Sequence, residues 1–111
     1  MKIVLCPQGE PTRTVEICNE LVEMQAIVGG YIEVVPVVRN IVMICNENGK
    51  LLEECKPNRE ISFKGESEVI RGSFFFCGVD YEDFTDLPEN YEKSLLALFR
   101  NPEFDKNGKR I

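Results

Sequence analysis

The sequence predicts an α+β fold, a mixed and mainly antiparallel sheet of about five strands with two helices packed on it. Short apolar runs bounded by turn residues recur along the chain, which is typical of strands. Apolar residues recur at helical spacing before Gly29 and after Pro88. The segment from Val28 to Pro36 links the two patterns, because a helix is predicted to stop at its glycines and a central strand to start after them.

The first part of the chain is predicted to form a hairpin and a helix. Residues 2–6 are an apolar run, and residues 13–17 alternate polar and apolar side chains after a turn that contains proline and glycine. Asn19 is the predicted N-cap of a helix of about ten residues. Gly29 is predicted to end it in a left-handed conformation, which closes the last carbonyl groups.

Further strands are predicted in the middle of the chain. One runs from Tyr31 to Val35 and ends at Pro36, and the continuously apolar residues 41–45 predict a central strand covered on both faces. The Asn48-Gly49 pair favours a tight hairpin whose return strand begins at Leu51. A loop at 57–59, a short edge strand at 61–63 and a turn at 64–67 are predicted to follow.

The second half is predicted to contain one long strand and one helix. The strand covers residues 69–79, with a bulge or a close backbone approach at Gly72. The consecutive phenylalanines 74–76 predict that both of its faces are covered, the alternative being one ring exposed for a partner. Thr85 or Asp86 is predicted to cap a helix that ends near Arg100.

Length and composition restrict the class of protein. The 111 residues predict a single domain over residues 1–111, with a frayed tail from about residue 102. The net charge of −6 argues against binding to nucleic acid or to an anionic membrane. No apolar run is long enough to span a membrane, and no secretion signal is recognised, so a cytoplasmic protein is expected.

The five cysteines and the absence of histidine bear on chemistry. The cysteines are odd in number and widely spaced without a CxxC pair, which favours reduced thiols over disulfides or a four-cysteine zinc site. Without histidine, Ser–His and Cys–His catalysis is excluded. The sequence therefore predicts no catalytic residue, metal or cofactor and leans against an enzyme, although a site based on lysine or on carboxylates such as Glu33 or Asp83 stays open.

Two groups of residues are candidates for binding. Between Arg71 and Lys93 the chain carries six carboxylates and no basic residue. The predicted acidic interaction surface consists of Asp80, Glu82, Asp83 and Asp86, for which a solvated helix N-terminus and a magnesium site are the alternatives. The predicted ligand or partner site consists of Tyr31, Glu33, Asn46, Asn58, Arg59 and Arg71. In that second group an ion pair between Glu33 and Arg59 that anchors a loop is the simpler explanation.

Several short blocks resemble a known family. Gly-Gly-Tyr-Ile-Glu at residues 29–33 and Pro-Asn-Arg at 57–59 are the most specific, and the resemblance extends from residue 2 to residue 87. Further matching positions are Asn46, Gly49, Lys50, Ile70, Gly72, Phe76, Gly78, Asp83 and Phe84. On these residues the chain resembles the family called domain of unknown function 3846, small proteins of bacteriophages, plasmids and other bacterial mobile elements. The resemblance implies an accessory protein of such an element and carries no activity and no functional residues.

Two functions follow from these features. The first is a non-enzymatic interaction or inhibitor protein that binds a host or phage protein, as the acidic segment and the setting of the family suggest. The alternative is a small-ligand-binding domain that uses the face of Tyr31, Glu33 and Arg59.

Overall fold

The computed structural model describes residues 1–63 and 65–111, so Lys64 of the predicted 64–67 turn lies outside the described residues. The elements in chain order are β1 (Lys2–Cys6), β2 (Arg13–Glu16), α1 (Leu21–Val28), β3 (Ile32–Val38), β4 (Ile41–Asn46), β5 (Pro57–Phe63), β6 (Glu66–Arg71), β7 (Phe74–Asp80), β8 (Asp83–Thr85) and α2 (Glu89–Leu98).

The main sheet has six strands in antiparallel pairs. Five of them lie in the order β2-β1-β7-β4-β3, and β8 joins by pairing with β7. β5 and β6 form a separate two-stranded hairpin. The predicted α+β class is confirmed, with one strand more in the main sheet than expected.

Both faces of the sheet are covered. Phe75 belongs to a core with Met24 and Val28 of α1, whereas Phe74 and Phe76 belong to the core on the opposite face, as alternation along a strand requires. On that opposite face, residues of α2 and of the β5–β6 hairpin complete the core. β4 is buried along its whole length. The predictions for the phenylalanines and for a covered central strand at 41–45 are therefore confirmed.

Helix α1 ends as predicted and begins differently. Gly29 has a φ of 82°, and its N–H donates to the Gln25 carbonyl at 2.8 Å. The N-cap position is held by Glu20 without a side-chain hydrogen bond, so Asn19 is not the cap. The Asn19 amide donates instead to the Phe84 carbonyl at 2.8 Å, because β8 lies within its reach.

The strand that follows α1 is an edge strand, not a central one. β3 passes through Pro36 and continues to Val38, with a register shift between these two residues. Proline lacks an N–H, and an edge strand with an irregularity tolerates it because its nitrogen needs no partner there. The predicted stop at Pro36 is therefore wrong.

The predicted hairpin return at Leu51 is also wrong. Residues 47–56 form successive turns, because β3 and β7 already occupy both edges of β4 and leave none for a strand from Leu51. Residues 57–59, predicted as a loop, are the first three residues of β5. Their polar side chains are buried and hydrogen-bonded, and polarity alone did not reveal this.

The predicted strand 69–79 is divided into two strands. β6 ends at Arg71 and β7 begins at Phe74, and between them Gly72 has a φ of 80°. A Cβ on Gly72 would lie 3.1 Å from Cys55 Sγ. The close backbone approach is thus present, but the glycine separates two sheets and does not form a bulge within one strand.

The end of the chain departs from prediction at the helix cap. Pro88 is the N-cap residue of α2 and no side chain caps it, because Thr85 lies in β8 and Asp86 accepts a hydrogen bond from the Lys2 N–H at 2.7 Å. After residue 102, where a frayed tail is predicted, Phe104 is buried and a β-bridge joins it to Arg110. Within the described part of the chain, neither helix has the length and apolarity needed to cross a membrane.

Candidate functional site

The six polar residues of the predicted ligand or partner site do not meet in one place. A polar pocket is lined by three of them, Glu33, Asn46 and Arg71. Asn58 and Arg59 are buried at the base of the β5–β6 hairpin, and Tyr31 is exposed away from the others.

Arg59 is fully buried in β5. Its guanidinium donates to the main-chain carbonyls of Pro7, Glu10 and Phe99. An ion pair with Glu33 does not occur among the described residues. Desolvation lowers the pKa of Arg59, yet a guanidinium stays protonated in a protein. Carbonyl dipoles therefore hold this buried charge, and it fastens the hairpin to the 7–12 loop and to the end of α2.

Asn58 and Asn46 also have structural partners. The Asn58 amide donates to the Cys6 and Gly72 carbonyls at 2.9 and 2.8 Å. The Asn46 amide donates to the Val28 carbonyl at 3.0 Å, at the end of α1. The side-chain amides of both asparagines thus form hydrogen bonds that join separate segments of the fold.

A polar pocket of about 290 Å³ lies between residues 46–51 and β6. Lys50 and Glu68 line it and form an ion pair, with 2.7 Å between Nζ and Oε1. The hydrogen bond that Lys50 donates to the Glu68 carboxylate raises the pKa of Lys50, so its ammonium group is charged at neutral pH. Arg71 also lines the pocket, while its Nε donates to the Cys55 carbonyl at 2.9 Å.

A mostly apolar space, here called the hairpin cleft, adjoins the polar pocket. It measures about 380 Å³ and is bounded by the main sheet, by α2 and by the β5–β6 hairpin. Its apolar lining residues are Val35, Val37, Met43, Ile61, Ile70, Phe76, Leu95, Leu98 and Phe99. Lys50 and Glu68 line both spaces, so their ion pair lies where the pocket meets the cleft.

The predicted acidic surface is centred on the turn between β7 and β8. Asp80 pairs with Asp83 across this turn, and Tyr81 and Glu82 are its loop residues. We call residues 80–83 the acidic tip. Tyr81 is 96% exposed and has a φ of 58°. None of the ion pairs between described residues includes a carboxylate of the tip, whereas Asp86 lies beyond β8 and accepts a main-chain hydrogen bond.

The thiols offer little nucleophilic chemistry. All five cysteines are free and only Cys18 is exposed. Burial raises the pKa of Cys6 and of Cys45 to about 11 and that of Cys77 to about 12, which keeps these thiols protonated at neutral pH. Over residues 1–63 and 65–111, no group of three or more cysteine or carboxylate side chains is arranged to hold a metal ion.

Sequence reasoning missed Lys50, Glu68 and the apolar lining of the hairpin cleft. Lys50 lies in the turns after β4, and the other residues lie in strands and in the α2 region that are distant in the chain, so no local pattern in the sequence reveals them. Tyr81 had a visible signal, an aromatic residue between two acids in a turn.

Comparison with known proteins bears on the family alone. Neither the search of curated proteins nor that of solved structures yields a match. The family model described as Domain of unknown function (DUF3846) matches residues 1–100, which include the acidic tip, both candidate spaces and all of α2. Because this match spans most of the chain, the protein belongs to the DUF3846 family.

Proposed function

We propose that this protein is a non-enzymatic interaction protein that binds a basic surface of a partner protein through its acidic tip. The exposure of Tyr81 carries the proposal, since its ring is 96% accessible and lies between Asp80 and Glu82. Exposed tyrosines are frequent energetic centres of interfaces, because a rigid ring covers a large area at a small loss of entropy.

The geometry of the tip supports this proposal. Pairing of β7 with β8 fixes both sides of the turn, and the left-handed φ of Tyr81 is a conformation that residues with a side chain rarely adopt. A turn held in this way loses little freedom on binding. The carboxylates of the tip attract a cationic partner without first having to leave an ion pair with another described residue.

The family resemblance supplies the setting of the proposal. We place the protein in the cytoplasm of a bacterium, as an accessory protein of a mobile element whose target is a host or phage protein. Inhibition of that target is the outcome we infer for the interaction.

Affinity capture of the tagged protein from host lysate, read by mass spectrometry, would identify the partner. The double variant Asp80→Lys, Glu82→Lys should then bind this partner at least about tenfold more weakly and with a smaller salt dependence. The double variant Glu53→Lys, Glu54→Lys is the control, because it makes the same charge change at exposed positions outside the tip. Equal affinity of the two variants, or an empty capture with a folded bait, would contradict the proposal.

A second candidate function is small-ligand binding, favoured by the polar pocket that gathers Glu33, Asn46 and Arg71. A ligand held there should raise the Tm in a panel of nucleotides and small metabolites. Glu33→Gln should reduce that shift, and the absence of any shift across the panel would count against this function.

A further inference from the structure

We propose that the hairpin cleft binds a small aliphatic amine, with the alkyl chain inside the cleft and the ammonium group at its rim. The acidic tip takes no part, because it lies on the β7–β8 turn and none of its residues lines the cleft. This inference therefore goes beyond the protein-binding function proposed above.

The interior of the cleft suits an alkyl chain. Met43 and Phe76 of the main sheet, Leu95 of α2 and Ile61 of the hairpin contribute apolar walls from four separate elements. The volume of about 380 Å³ falls within the range of roughly 300–1,000 Å³ that small-molecule sites occupy. Each methylene group that leaves water for such an environment adds to the binding energy.

The cleft exists because the hairpin is not hydrogen-bonded into the main sheet. Asn58 and Arg59 fasten its base through hydrogen bonds to the 6–10 segment and to the end of α2. A space between the hairpin and the sheet is therefore a fixed part of this architecture.

The rim favours a positive head group. Carboxylates outnumber cations among the residues that line the cleft and the adjoining polar pocket. The charged lining residues are Glu33, Glu47, Glu66, Glu68, Lys50 and Arg71. Glu68 is already paired with Lys50, whereas Glu66 forms no ion pair with another described residue. A ligand ammonium group at the rim would meet the Glu66 carboxylate, and a ligand carboxylate would be repelled by it.

Titration of the full chain with hexylamine, octylamine and decylamine, beside the alcohols and carboxylates of equal chain length, tests the proposal. Calorimetry should show an affinity that rises about fourfold per methylene, because each contributes about 0.8 kcal/mol. Amines should bind more tightly than alcohols, and alcohols more tightly than carboxylates. Methyl signals of Val35 and Leu95 should shift in NMR spectra.

Two matched variants locate the head group. Glu66→Gln should weaken amine binding about threefold, as expected for an exposed charge pair, and leave alcohol binding unchanged. Glu60→Gln lies on the same hairpin but does not line the cleft, so it should change neither. Val37→Phe, which fills the cleft, should abolish binding of both ligand classes.

Several results would overturn the proposal. Carboxylates that bind as tightly as amines, or an affinity that does not depend on chain length, would contradict it. Methyl shifts confined to residues outside the cleft, or equal effects of Glu66→Gln and Glu60→Gln on amine binding, would do the same. Undiminished binding to a folded Val37→Phe protein would overturn it as well. If that variant does not fold, the comparison of Glu66→Gln with Glu60→Gln decides.

Discussion

Arg59 carries a full charge in the interior and forms no ion pair with another described residue. Its nitrogens reach three carbonyls, the Thr12 hydroxyl at 3.1 Å and the Asn58 side chain. Carbonyl oxygens at the end of a helix carry partial negative charge, and Phe99 contributes one of these. The guanidinium thus joins the hairpin to the 7–12 loop and to the end of α2, two segments that are also connected to each other by the Thr12 N–H, which donates to the Arg100 carbonyl at 3.0 Å.

Replacement of Arg59 by methionine should lower the free energy of unfolding by about 3–5 kcal/mol, because buried acceptors lose their donors while the apolar stem is kept. Urea denaturation measures the change. Arg13→Met is the control, since Arg13 is exposed and its ion pair with Glu10 is worth at most about 1 kcal/mol. An equal decrease in the free energy of unfolding in both variants would show that the buried network contributes no more to stability than the exposed ion pair.

The sequence revealed only part of the buried hydrogen-bond network around Arg59. The sequence predicts a loop at Asn58 and Arg59 and an ion pair of Arg59 with Glu33, whereas the structure buries both residues in β5. Polarity predicts exposure on average, and only the folded structure provides the acceptors that make burial of an arginine favourable.

Gly72 determines how the hairpin joins the main sheet. Its positive φ redirects the chain between β6 and β7, and its N–H donates to the Lys56 carbonyl at 2.8 Å. The missing side chain leaves room for Cys55, which lies beneath the turn. Conformation and packing thus both require glycine at this position.

Gly72→Ala should therefore cost about 2–3 kcal/mol, since the left-handed strain and the contact with Cys55 add together. Gly65→Ala should cost only about 1 kcal/mol, because Gly65 has a similar φ of 82° and no described atom lies within 4 Å of its Cβ position. Thermal unfolding of both variants measures the difference. Equal destabilisation would mean that the packing against Cys55 is irrelevant.

At the scale of elements, prediction succeeded where the signal is local. The apolar run 2–6, the glycine that ends α1 and the buried strand predicted at 41–45 follow from neighbouring residues. It failed where a distant segment decides the outcome. The return strand predicted at Leu51 cannot form, because β4 has no free edge for it. β8 forms because the end of β7 has a free edge with which it pairs.

Glu92 connects layers of the whole molecule. Its carboxylate accepts a hydrogen bond from Thr14 of β2 at 2.6 Å and pairs with Lys2 of β1 at 3.0 Å. The hydrogen bond from Thr14, followed by that from Lys2, holds the pKa of Glu92 below its usual value of 4.5. The ionised form of Glu92 therefore ties α2 to the edge of the sheet.

This pKa shift predicts how stability depends on pH. Because the unfolded chain binds the proton more readily, the contribution of Glu92 is present above about pH 4.5 and is lost as the pH falls through the lower folded pKa. Glu92→Gln should lower the Tm at about pH 7 and have little effect at about pH 2, as measured by circular dichroism. Glu89→Gln, at an exposed pair with Lys93, should change the Tm little at either pH. A Glu92→Gln effect that is constant with pH would contradict the assignment.

The position of β7 has a consequence for synthesis of the protein. β7 lies between β1 and β4 and supplies phenylalanines to both cores, yet it is made long after β1 and β4. On the ribosome, β1 and β4 each lack a central neighbour until residue 80 has left the exit tunnel. Closure of the long loop between β1 and β7 is then a late and entropically expensive step. The nascent chain thus carries unpaired apolar strands until β7 emerges, and the main sheet is completed only after that point.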